Sequence, residues 1–139
     1  MILEPFIRRR CEFLLAVASD KLDCRDQAVT FTMRVLSNHA TIGKDAGSET
    51  IKRLNRRISG KAFERLKSED WKTFKRTTIN EHPKPLKQMW KWRLENSKTL
   101  TAELVWKEFL DHPMITVTIE EDRAMPRSEG DIATRYKGI

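Results

Sequence analysis

The chain has 139 residues, 39% of them apolar and 34% charged, with only 5 Gly and 5 Pro. That is enough length and apolar content for one modest core, and too little Pro and Gly for a chain that stays unfolded. The formal net charge is +7, and no apolar run approaches the roughly 20 residues that a membrane-spanning helix needs.

The N-terminal elements read as helices. Pro5 suits a first turn, and Ile7, Cys11, Leu14 and Ala18 recur at helical spacing, with Phe6, Phe13 and Val17 widening the stripe. Arg8-Arg9-Arg10 before "FLLAVA" has the outline of a signal peptide, but the apolar run is only six residues and Glu12 interrupts its approach. A core helix is therefore expected. A second helix starts at Asp23 or Asp26, turns Val29, Met33 and Leu36 inward, and ends near Ser37-Asn38-His39. Ile42 and Ala46 then face inward on a short helix. After a Gly47-Ser48 turn comes a helix with Ile51, Leu54 and Ile58 inside and Lys52, Arg53, Arg56 and Arg57 outside. Ser59-Gly60 breaks it, and Ala62, Phe63 and Leu66 continue on another turn.

From Trp71 the pattern changes. The β-branched stretch "WKTFKRTTIN" predicts a strand over 73–80. Pro85 opens a helix bearing Leu86, Met89, Trp90 and Leu94. Thr101 caps the next helix, with Leu100 and Val105 as a hydrophobic staple and Trp106, Phe109 and Leu110 on the buried face. His112-Pro113 stops it. "MITVTI" predicts a strand over 114–119. The expected fold is α+β, mostly helical: a single domain over 1–122 with a sheet of about two strands joined by two helices, then a polar tail over 123–139.

Charge is spread unevenly along this order. Residues 1–47 hold 7 basic and 6 acidic side chains, residues 48–98 hold 15 and 6, and residues 99–139 hold 5 and 8. A basic middle third attracts polyanions through its field and through counterion release. A plain solvated face would carry the same charges. Cys11 and Cys24 form no CxxC pair, so a reduced, cytoplasmic protein is the simplest expectation. Two cysteines and three scattered histidines do not make a structural zinc site.

One candidate site lies at "NEHPKP". If strands 73–80 and 114–119 pair in parallel, their C-terminal ends share an edge. Glu81 and His82 then lie near Glu120, Glu121 and Asp122, a set able to hold Mg²⁺ or Mn²⁺ with His82 as general base. Antiparallel pairing separates the two groups, and His82 then simply ends a strand before two prolines. Glu81-His82-Pro83-Lys84-Pro85 resembles the (D/E)HxxP segment of His-Me finger, or HNH, nucleases. That resemblance implies His82 as the base that activates water, Glu81 as a metal-side residue and Asn96 as its orienter. The family carries a β-hairpin between histidine and asparagine, where "LKQMWKWRLE" reads as a helix.

A second resemblance lies at "IGKDAGSETIKRLNRRI", which is similar to the helix-turn-helix of LacI-type repressors through Ile42, Ala46, Gly47, Ile51 and Leu54, with a turn two residues shorter. It implies that Ser48, Glu49, Lys52, Arg53 and Arg56 face the groove of DNA. Trp92 falls off the apolar stripe beside Lys91 and Arg93. It either stacks on a base, anchors a protein partner, or folds back on its own domain. The leading expectation is nucleic-acid binding by Lys52, Arg53, Arg56, Arg57, Lys84, Lys87, Lys91 and Trp92. The alternatives are a metal-dependent nuclease and a protein-binding inhibitor or regulator.

Overall fold

The computed structural model describes residues 2–17 and 26–125. The fold is α+β and mostly helical, with eight helices and one two-stranded sheet among those residues. In chain order the elements are α1 (Pro5–Ala16), α2 (Gln27–Ile42), α3 (Ser48–Leu54), α4 (Gly60–Ser68), α5 (Trp71–Thr77), β1 (Thr78–Glu81), α6 (Leu86–Glu95), α7 (Ala102–Asp111), β2 (Ile115–Thr118) and α8 (Ile119–Ala124). They sort into two compact units, each made of two stretches of chain: Met1–Asp45 with Lys84–Pro113, and Ala46–Pro83 with Met114–Ile139. Ala18, Asp23, Cys24 and the expected tail beyond residue 125 lie outside the described residues.

The first unit is helical. Asp26 caps α2 by accepting from the amides of Ala28 and Val29, and Thr101 caps α7 by accepting from Leu104. Contacts run from α1 to α2 and from both to α7. Ile7, Cys11 and Leu14 from α1 meet Val29, Met33 and Leu36 from α2, Met89 and Trp90 from α6, and Val105 and Phe109 from α7. Each such side chain contributes about 1.5–3 kcal/mol on burial. α2 does not stop at Ser37-Asn38-His39. It continues to Ile42 and ends at Gly43, whose φ of 80° is the left-handed conformation that closes a helix. The expected short helix through Ile42 and Ala46 is therefore absent: Ile42 ends α2, and Ala46 lies in the extended approach to α3.

The second unit is mixed. Its sheet is antiparallel, with Thr78 opposite Thr118, Ile79 opposite Val117, Asn80 opposite Thr116 and Glu81 opposite Ile115. On its other side β2 is bound by the segment after α3: Thr116 donates its amide to Arg57 O at 2.9 Å and accepts from Ser59 N at 3.0 Å, with Ile58 bridging Thr116. Ile58 thus extends the sheet instead of closing α3. α3 and α5 pack on β1, α4 on β2, and α8 across both strands.

Most of the strand expected over 73–80 is helix. Asp70 caps α5 through the amide of Thr73 at 2.7 Å, and Phe74 is completely buried. The threonines are accommodated because their hydroxyls return to carbonyls one turn back, Thr77 to Thr73 O at 2.9 Å and Thr78 to Phe74 O at 2.6 Å. Only Thr78–Glu81 pairs as a strand, three residues of the expected span and Glu81 beyond it.

Candidate nucleic-acid interface

Residues 52–76 hold ten Lys and Arg against three Asp and Glu. The fold places all of them in the mixed unit, on and between α3, α4 and α5. Their surroundings sort them. Arg56 and Arg57 follow α3 in extended backbone, Lys61 lies in the first turn of α4 and Lys72 in the first turn of α5. All four, and Arg76 in the last turn of α5, are exposed, and none forms an ion pair among the described residues. Arg53 is exposed too, with its guanidinium carbon 4.5 Å from the centre of the Trp71 ring. Arg65 pairs with Glu120 at 2.9 Å, Lys67 with Glu64 at 2.9 Å, and Lys75 with Glu49.

Several residues expected at the interface are committed to holding the fold. The Lys52 ammonium donates to Lys75 O at 2.7 Å and Thr78 O at 2.6 Å, closing the C-terminal end of α5. Burial pushes its pKa down. In the helical unit, Lys84 pairs with Glu108 at 2.5 Å, both side chains being less than a fifth exposed. Its ammonium lies 5.2 Å from the Trp92 ring centre, so Trp92 is half-buried and folds back on its own unit. His112 Nδ1 lies 3.3 Å from the same Glu108 carboxylate. Lys87 and Lys91 stand exposed one turn apart on α6. The basic middle third is thus divided between the units, residues 52–76 in one and 84–98 in the other.

The "NEHPKP" stretch is reached by the end of β1. The register is antiparallel, the second of the two alternatives above, so the shared edge that the metal set required is not formed. Glu81 sits opposite Ile115, while Glu120, Glu121 and Asp122 follow Thr118 at the other end of the sheet. The carboxylates at that far end have structural duties. Glu120 takes the Arg65 ion pair. Glu121 accepts from the Ser59 hydroxyl at 2.5 Å and from Thr118 N at 2.9 Å, while Thr118 accepts from Glu121 N. Among the described residues no cluster of three or more His, Cys, Asp or Glu side chains has metal-ligand spacing. His82 follows β1 directly and its Nε2 is shielded from solvent. Asn96 caps α6, its side-chain amide donating to Trp92 O at 2.9 Å, and the span between His82 and Asn96 contains α6, not a hairpin. Cys11 is fully buried, and burial pushes its thiol up to about 12, so it presents no thiolate nucleophile.

Two asparagines that periodicity did not single out organise the mixed unit. Asn55 donates to Met114 O at 3.0 Å and accepts from Arg57 N at 3.0 Å, which turns the chain out of α3 into its run beside β2. Asn80 accepts from the Thr116 hydroxyl at 2.9 Å and donates to Ser48 O at 3.0 Å. Asn55 thereby sets the path on which Arg56 and Arg57 leave α3, while Asn80 ties the start of α3 to the sheet. Compared with protein-family models, with curated proteins and with solved structures, the chain matches none.

Proposed function

We propose that the chain binds nucleic acid through the exposed cations of the mixed unit, chiefly by contacts to phosphate. The observation that supports this is the group Arg56, Arg57, Lys61 and Lys72, exposed in a segment with ten basic and three acidic side chains and paired with no carboxylate among the described residues. Exposed cations with no carboxylate partner among the described residues neutralise phosphates without first breaking an internal ion pair. Lys52 and Lys84 are not part of this surface, because their ammonium groups are bonded within the fold.

The test is binding of labelled single- and double-stranded DNA and RNA across a salt series, with Mg²⁺ and with chelator. Wild-type affinity is expected to fall steeply with salt. Arg56→Glu with Arg57→Glu should weaken binding by about 10- to 100-fold at low salt and flatten the log–log slope by about 2. Absence of salt-sensitive binding would overturn the reading. Metal-dependent cleavage lost in His82→Ala would replace it with the nuclease reading.

A further inference from the structure

Two exposed cations in the mixed unit lie over an aromatic ring, Lys67 over Phe63 and Arg53 over Trp71. Lys67 is also paired with Glu64, whereas Arg53 sets a flat cation on a flat ring. Its guanidinium carbon is 4.5 Å from the centre of the Trp71 ring. Trp71 in turn lies 5.5 Å from Phe74, centre to centre, at 31°, and Phe74 is completely buried. A flat cation is thus supported by two successive aromatic rings, the innermost anchored in the fold. Glu49, the acidic residue of α3, has its carboxylate paired with Lys75, which lowers its pKa. It does not need Arg53 as its main partner.

We infer that Arg53 and Trp71 form a stacking platform for an unpaired base, so that the preferred ligand is single-stranded nucleic acid rather than duplex. The inference rests on the nucleic-acid reading above and adds the ligand class to it. Guanidinium planes and indoles stack on the faces of splayed bases, which a closed duplex keeps covered by neighbouring base pairs. Arg56, Arg57 and Lys72 stand close in sequence to the two platform residues. They supply cations for the backbone of the strand whose base stacks. Lysine in place of Arg53 keeps the charge but loses the flat face.

The experiment compares wild type with Arg53→Lys by fluorescence anisotropy. The probes are an oligothymidylate, an oligouridylate and a DNA duplex, all of equal length and at the same low salt. Wild type is expected to bind the single strands at least about 10-fold more tightly than the duplex. Arg53→Lys should weaken single-strand binding by about 5- to 30-fold, a stacking loss of the usual size, with duplex affinity and salt slope held within about twofold. The oligothymidylate and oligouridylate arms show which sugar the platform serves. Unchanged single-strand affinity in Arg53→Lys, or an equal loss on duplex, overturns the platform while leaving phosphate binding intact. No salt-sensitive binding of wild type to any probe overturns both.

Discussion

Arg93 is the residue whose role composition conceals most. It lies in the basic "KWR" of α6, yet it is buried, and burial pulls its pKa below the ordinary arginine value. Its guanidinium donates to Leu14 O, Leu15 O and Val17 O, each at 2.8 Å, satisfying carbonyls at the end of α1. A helix end leaves such carbonyls without intrahelical partners, and one planar cation with five donors serves three of them at once. Arg93→Met removes those bonds while keeping most of the volume. The expected loss is roughly 2–4 kcal/mol in urea unfolding, with Arg93→Lys recovering part of it. An unchanged midpoint would show that these carbonyls find water instead. No hydrophobic pattern reveals this residue, because the pattern marks Arg93 as polar and hence as surface.

At the scale of elements, what was legible in the sequence is what a single period expresses. α1 and α7 follow from apolar spacing, and the Thr101 cap and the β2 strand were readable from local chemistry alone. α5 was not. Its threonines favour a strand by propensity, and the burial of Phe74 and the Asp70 cap decide for a helix. The strand pairing was also illegible, since two short strands separated by helices satisfy either direction until packing chooses. For the interface, charge counting found the right segment but could not tell Lys52, bonded to α5, from Arg56 and Arg57, which face solvent. That distinction gives a prediction. Lys52→Met removes both bonds at the end of α5 and should cost about 1–3 kcal/mol, read by thermal or urea unfolding, while nucleic-acid affinity falls less than about threefold. A large loss of affinity without loss of stability would return Lys52 to the binding surface.

At the scale of the molecule, each unit is assembled from two separated stretches, and in the mixed unit the later stretch supplies the central strand. β2 pairs with β1 on one side and with residues 57–59 on the other. A chain ending at Pro113 lacks β2 and α8. Residues 46–83 then lose every partner of that strand, and their amides should exchange at rates near those of unfolded chain. The amides of Ile7–Leu14 and Val29–Leu36 should stay protected, because all their core neighbours in Met1–Asp45 and Lys84–Pro113 remain. Persistent protection over 46–83 would mean that α3, α4 and α5 hold together without the sheet. The same arrangement sets an order in time. Thr78 pairs with Thr118 and Glu81 with Ile115, so β1 leaves the ribosome long before its partner and waits while α6 and α7 are made. Closing so long a loop is slow compared with forming the helices inside it. During synthesis the basic segment 52–76 therefore emerges with its supporting sheet still incomplete, and the cations that face solvent in the finished protein take up their fixed positions only when the last strand arrives.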